Sequence, residues 1–279
     1  MGILLALAAA FFYGAADFFG GLAAKRNAVW PVVFVSGAVG LAAALVAVVL
    51  FRAGAPLPRD LELGALIGIV GIVGIAALYR GLAIARMSVV APITAVVAAV
   101  VPIAYGVLRG ERPSGMAILG IVLALGAVAL VSRSSDEDVA GDPEPGRAGL
   151  LLALLSGLGF GFVYVLLAAS SRGAWPLVAS RTMFVLCTGL IVWRMRPAVL
   201  LAPGTVRWTV LSGALDMSAN LLYLFALRHT LVAIAAVLAS LYPASTVMLA
   251  RIVLHERLGL VQWIGVACAL AGVVLLARG

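Results

Sequence analysis

Ten nearly uninterrupted apolar stretches follow one another along the 279-residue chain, at about 3–22, 32–51, 61–79, 88–108, 114–132, 148–169, 176–193, 206–227, 231–253 and 259–277. A helix needs about 20 such residues to cross the hydrocarbon of a bilayer. Each stretch is apolar on all of its faces, unlike the one-sided stripe of a helix on a soluble core. Backbone groups in lipid must satisfy their hydrogen bonds internally, so the pattern predicts an all-α membrane protein with ten transmembrane helices. The first stretch carries Asp17 and has no cationic segment ahead of it, so it reads as a retained span and not as a cleaved signal peptide.

Composition agrees. Hydrophobic residues make up 65% of the chain and charged ones 11%, against roughly 45–50% and about 25% in soluble domains. A soluble globular enzyme is thereby excluded. The formal net charge of +8 does not point to nucleic acid, because the basic residues stand singly or in pairs at the ends of apolar stretches. Examples are Lys25 with Arg26, Arg109 with Arg112, and Arg194 with Arg196, where they anchor helices at lipid headgroups. Cys187 and Cys268 lie inside stretches, which provides neither a disulfide framework nor a CxxC metal site.

One segment breaks the rhythm. Arg133 to Arg147 reads RSSDEDVAGDPEPGR, with five acids and two prolines, the composition of a polar linker. It divides the chain into a first five-helix unit (1–133), a linker (134–147) and a second five-helix unit (148–279). A shift of 145 residues superposes Trp30-Pro31 on Trp175-Pro176, Glu111-Arg112 on Glu256-Arg257, Gly120 on Gly265 and Arg133 on Arg278; a shift of 147 superposes Tyr13-Gly14 on Phe160-Gly161. The halves are repeats. An odd number of crossings per half requires the second copy to enter from the opposite side, so two inverted five-helix repeats are expected, with a substrate site near the midplane between them.

Each half closes its fourth stretch with Glu-Arg (Gly110-Glu111-Arg112 and His255-Glu256-Arg257), and Ser240-Leu241-Tyr242-Pro243 leads into the second of these. This chain resembles the EamA-type branch of the drug/metabolite transporter superfamily over nearly its whole length. The resemblance implies a secondary carrier in the inner (plasma) membrane that moves small metabolites, amino acids or drugs outward, with both termini cytoplasmic. With the N-terminus inside, the cytoplasmic segments hold Arg52, Arg59, Arg109, Arg112, Arg172, Arg228 and Arg278. The opposite loops hold more basic residues, so the positive-inside count leans against that orientation.

Ionisable groups deep in a membrane are costly unless they face a cavity or a partner. Asp17, Arg181 and Asp216 are such groups. Asn220 and Tyr223 follow Asp216 at i+4 and i+7, so a carboxylate, an amide and a phenol share one helical face. Tyr13 stands one turn before Asp17, completing an opposite wall. Asp17 and Asp216 are candidates for binding a substrate amine or exchanging a proton, against the alternatives of an interhelical lock for Asp216 and snorkelling for Asp17. Arg181 could neutralise Asp216, hold a substrate carboxylate, or reach the interface. Two acids against one base leave about one negative charge, which favours a zwitterion or cation. Tyr79, Tyr164 and Tyr242, with Ser240, are further candidates to line the cavity. Pro92, Pro102 and Pro243 fall in the equivalent fourth and ninth stretches and can kink them. Glu111 and Glu256, set among basic residues in short loops, read as solvated or turn-stabilising groups.

His229 and His255 have no further His or Cys at ligand spacing, so no metal is expected, and the absence of GxxxxGK[ST] argues against ATP hydrolysis by this chain. No cofactor and no enzymatic role are expected. The partners predicted are a small-molecule substrate, the lipid bilayer and protons, with monomer and homodimer both open. The function expected is alternating-access transport of a small zwitterionic or weakly basic, amino-acid-like metabolite or drug. Two alternatives stand beside it. A permease subunit of a multi-component transporter would need a long cytoplasmic coupling helix. An intramembrane lipid-modifying enzyme would need Arg, His and Asp clustered at one membrane face.

Overall fold

A computed structural model describes residues 1–24, 26–84, 87–131, 147–171, 173–254 and 259–278. Among these, every regular element is a helix: α1 (Gly2–Ala24), α2 (Val29–Leu50), α3 (Pro58–Ile84), α4 (Met87–Leu108), α5 (Gly115–Val131), α6 (Arg147–Ala169), α7 (Trp175–Met195), α8 (Val206–Ala226), α9 (Val232–Ala239), α10 (Tyr242–Leu254) and α11 (Leu260–Arg278). Six of them, α1, α2, α3, α6, α7 and α8, contain segments long and apolar enough to cross a membrane. Shorter apolar stretches lie at Ile93–Leu108, Gly115–Leu130, Val232–Thr246 and Trp263–Leu276. The linker residues 134–146, together with His255, Glu256 and Arg257, lie outside the described residues, as does the side chain of Tyr79.

Two boundaries differ from the sequence expectation. α3 continues to Ile84 and takes Arg80 into the helix. The stretch expected as one helix over 231–253 is two, α9 and α10, joined at Ser240 and Leu241. Pro243 has no N–H to offer the Ala239 carbonyl, and Ala244 N donates instead to Leu241 O three residues back, at 2.9 Å. The helix therefore restarts at Tyr242. α4, which carries Pro92 and Pro102, continues through both.

The outer surface is lined by large apolar side chains such as Leu45, Val49, Val122, Leu186, Leu190 and Trp193, which suits lipid and would be unsustainable in water. The interior is made of small residues. α1 buries Gly2, Ala6, Ala9, Ala10, Gly14 and Ala16, so neighbouring backbones approach closely.

Helix packing follows the repeat. The main pairs are α1–α8, α3–α6, α4–α6, α1–α10, α2–α8, α3–α7, α2–α7 and α5–α11. Exchanging α1 with α6, α2 with α7, α3 with α8, α4 with α9–α10 and α5 with α11 returns the same set.

The 22-residue α2 spans about 33 Å, and a polar clasp sits beyond each of its ends. Past its C-terminus, the buried Asp60 of α3 accepts hydrogen bonds from Ser171 N (2.9 Å) and Ser171 Oγ (2.5 Å), while Trp175 Nε1 donates to Gly54 O at 2.6 Å. Before its N-terminus, Asn27 Nδ2 donates to Thr205 Oγ1 at 3.0 Å and its Oδ1 accepts from Ala202 N at 2.5 Å. Asp60 and Thr205 are themselves 145 residues apart.

Candidate functional site

Helices α1, α2, α3, α6, α7, α8 and α10 surround a cavity with an empty volume of about 1040 Å³, its open mouth included. Both halves contribute to it at matching positions. With the shift of 145, Ser36 pairs with Arg181, Ile67 with Ser212, Gly68 with Gly213 and Gly71 with Asp216. With the shift of 147, Tyr13 pairs with Phe160, Ala16 with Val163 and Asp17 with Tyr164. All fourteen residues of these seven pairs line the cavity. Shape is thus duplicated while chemistry is not. Asp17 stands where the other copy has a phenol, Arg181 where it has Ser36, and Asp216 where it has only Gly71.

The tight crossing of α2 and α8 makes room for this arrangement. A Cβ on Gly213 would strike the carbonyl oxygen of Ser36, so only glycine lets the two backbones approach this closely. The stem of Arg181 runs beside Gly40, whose added Cβ would sit 3.5 Å from Arg181 Cδ.

Arg181 Nη2 donates to Asp216 Oδ2 in a salt bridge. The guanidinium carbon lies 5.5 Å from the centre of the Phe184 ring. Asn220 Nδ2 donates to Asp216 O at 2.8 Å and faces Asp216 Oδ2 at 3.3 Å. Asp216 is therefore held from two sides, and charge-assisted hydrogen bonds of this kind fix a carboxylate firmly. Asp17 differs: it is exposed, it lines the same cavity, and among the described residues it makes no ion pair. Tyr164 and Tyr242 line that cavity with it.

Aromatic side chains form one wall of the cavity and its backing. Tyr13 and Tyr164 meet edge to face at 6.3 Å, and Tyr164 and Tyr223 lie 4.7 Å apart at a tilt of 38°. Tyr242 joins the lining from the first residue of α10. The backbone there is held against α1, because a Cβ on Gly14 would collide with Tyr242 O, and Thr246 Oγ1 donates to Gly14 O at 3.1 Å.

Of the residues singled out in the sequence, Tyr13, Asp17, Tyr164, Arg181, Asp216 and Tyr242 come together around the cavity. Asn220, Tyr223 and Ser240 are not among its lining residues. Asn220 is buried behind Asp216 as its hydrogen-bond donor, Tyr223 is fully buried behind Tyr164, and the buried Ser240 donates to Val237 O at 2.8 Å. The shared face of α8 faces the cavity only from Ser212 to Asp216, after which the helix packs into the bundle. Sequence reasoning missed Ser36, Ser180, Ser212, Phe160 and Phe184. Mapping each charged candidate through the repeat would have found Ser36 from Arg181.

Glu111 has a specific partner. Its Oε1 accepts from Val232 N at 2.8 Å and its Oε2 from Ala233 N at 3.2 Å. These are the first two amides of α9, whose N-cap residue Leu231 supplies no side-chain cap. A carboxylate from the first half thus caps a helix of the second, which extends the turn-stabilising role read from the sequence. Gly110, with φ +90, lets the chain fold back so that Glu111 N reaches Gly106 O at 2.9 Å.

Comparison with known proteins gives a consistent result. A solved structure described only as a crystal structure of a protein superposes with a TM-score of 0.77 at 16% identity, covering 98% of this chain and 95% of the other. At that identity the likeness is one of fold. A Pseudomonas aeruginosa protein described as uncharacterized protein PA1977 is 35% identical over 113 residues, 39% of this chain. The matched stretch spans 36% of that relative's length. The model of the EamA-like transporter family matches twice, over residues 1–133 and 147–278. With both halves matched, the chain belongs to the EamA-like transporter family, and its apolar helices make it a multi-pass membrane protein.

Proposed function

We propose that this chain is a secondary active transporter that carries a small zwitterionic or weakly basic, amino-acid-like metabolite or drug across the inner membrane by alternating access. In this reading the bundle has ten spans, arranged as inverted halves of residues 1–133 and 148–279 joined by the 134–147 linker. Outward transport and cytoplasmic termini are what the family resemblance implies. Support for antiparallel halves comes from the loops. The start of α1 lies against His229 and Thr230, next to the Arg228 that shares a cavity with Asp60 and Ser171. Ser171 follows the end of α6, so α1 begins at the end of the bundle where α6 finishes.

The observation that carries the reading is a cavity formed by repeat-equivalent residues of both halves, holding two carboxylates and one guanidinium. Tyr13, Asp17, Tyr164, Arg181, Asp216 and Tyr242 would contact the substrate. Asn220 and Tyr223 would fix Asp216 and Tyr164 from behind. Asp17 is the first choice for proton coupling and Asp216 the second, because a carboxylate open to the cavity can exchange its proton with water or displace it on substrate binding.

Purified protein in liposomes tests this directly. A panel of labelled amino acids and amines is expected to yield at least one compound whose flux needs no ATP and responds to an imposed proton gradient. Asp17→Asn is expected to abolish the gradient response. Flux that requires ATP and a second protein, or gradient-driven flux unchanged in both Asp17→Asn and Asp216→Asn, would overturn the reading.

A further inference from the structure

A zwitterion and an amine place different demands on this cavity. The amine needs one counter-charge, whereas the zwitterion also needs a cation for its carboxylate. Among the described lining residues, Arg181 is the basic one, and its guanidinium is bound to Asp216, lies against Phe184 and leaves the side chain 17% exposed. A substrate carboxylate would have to displace one that is tethered on the neighbouring helix and pinned by Asn220. A tethered competitor acts at high effective concentration. Releasing Arg181 would also leave Asp216 without its counter-charge.

No such exchange is needed on the other wall. Asp17 is exposed and, among the described residues, has no ion-pair partner. The rings of Tyr13, Tyr164 and Tyr242 line the same space, and the faces of such rings attract ammonium groups by their quadrupoles.

We propose that the cavity selects an organic cation over the corresponding zwitterion, with Asp17 as the counter-charge, Tyr13, Tyr164 and Tyr242 as the aromatic surface facing the ammonium, and Arg181 withheld by Asp216. This rests on reading the cavity as the transport site and narrows its substrate to a monocation with an apolar body. The Arg181–Asp216 pair then serves as an internal block to substrate carboxylates.

Four probes with one ring and different charges test it on the purified full chain: phenethylamine, L-phenylalanine, 2-phenylethanol and 3-phenylpropionate. Affinities are read by calorimetry or thermal shift. Phenethylamine is expected to bind about tenfold or more tighter than the other three. Asp17→Asn is expected to erase that preference while Asp17→Glu retains it. Asp216→Asn frees Arg181 and adds one positive charge, so it is expected to weaken phenethylamine and strengthen L-phenylalanine and 3-phenylpropionate, each by about tenfold. The ranking on the unmodified protein stands as a test even where a variant fails to fold.

Failure of phenethylamine to bind, L-phenylalanine binding as tightly as phenethylamine, or a preference unchanged by Asp17→Asn would overturn the proposal. Flux in liposomes separates this result from the transport reading. L-Phenylalanine carried in preference to phenethylamine would sink the cation inference and leave transport standing. Phenethylamine bound at Asp17 but never moved would do the reverse.

Discussion

Arg181 and Asp216 join α7 to α8 inside a low-dielectric bundle, yet the Asp216 side chain is 34% exposed to the cavity. Removing one member of a fully buried pair costs about 3–5 kcal/mol. Partial access to water lowers that, so Arg181→Met is expected to destabilise the protein by about 1–3 kcal/mol. Combining it with Asp216→Asn should cost less than the sum of the single changes, since the double variant leaves no orphan charge. Thermal melts of the four proteins in detergent form the cycle; strict additivity would mean that the two groups do not interact in solution. Gly213→Ala belongs to the same scale. The new methyl would meet the Ser36 carbonyl, forcing α2 away from α8 at an overpacking cost of about 1–3 kcal/mol, and a melt unchanged from the parent protein would contradict this crossing. What the sequence disclosed at residue level follows from the same physics. In a chain apolar on every face, only a charge or a cluster of polar groups marks which face is inward, so Asp17, Arg181 and Asp216 stood out. Ser36 and Ser180 did not, because a hydroxyl in a helix satisfies itself on a carbonyl one turn back, as Ser36 does on Val33 O at 3.1 Å and Ser180 on Leu177 O at 2.9 Å.

α9 is eight residues long and buried along its whole length, and its first amides point at a carboxylate from the opposite half. Helix N-termini carry partial positive charge and unsatisfied donors, so an anion there stabilises by the capping bonds and the helix dipole together. Glu111→Ala is expected to cost about 1 kcal/mol and to loosen α9 selectively. Hydrogen exchange should show faster exchange at Val232 and Ala233 than at amides of α1 or α8. Gly106→Ala, whose methyl would strike the Glu111 carboxylate, should reproduce the effect with the glutamate still present. Uniform destabilisation without a local signature at α9 would contradict the capping role. The helices themselves were legible because long apolar stretches mark them, and the boundaries of α1, α2, α5, α7 and α8 fall close to those expected. The division of α9 from α10 was not. Three prolines lie in the equivalent fourth and ninth stretches, but α4 continues through Pro92 and Pro102 while the chain breaks ahead of Pro243. Proline removes one donor in each case, and whether the helix restarts is decided by the packing around it. Here α1 crosses at Tyr242, and its Gly14 carbonyl engages Thr246.

At the scale of the molecule, the repeat accounts for the cavity and, in the alternating access proposed above, for the way it would open. Packed pairs that map onto themselves when the halves are exchanged give a shape with two equivalent ends, and a small difference in the contacts at those ends is enough to bias which one is closed. The two clasps are that difference. One end is held by a carboxylate, Asp60, on the Ser171 amide and hydroxyl; the repeat-related end is held by the neutral Asn27 on Thr205 and Ala202. The charged clasp is the stronger of the two, since hydrogen bonds to an ionised acceptor are roughly twice as strong as neutral ones. Asp60→Ala should therefore shift the population toward opening at the Asp60 end, and Asn27→Ala toward the other. With Cys187 and Cys268 replaced by alanine, a single cysteine at Ser212, which lines the cavity, reports the shift through its labelling by an impermeant maleimide from each side of the membrane. The two variants are expected to change side preference in opposite directions, each by about threefold to tenfold, the population change corresponding to about 1 kcal/mol of lost clasp. Labelling that rises from the same side in both variants would mean that the clasps do not mark alternate gates, and that the two-fold symmetry of the bundle does not extend to its motion.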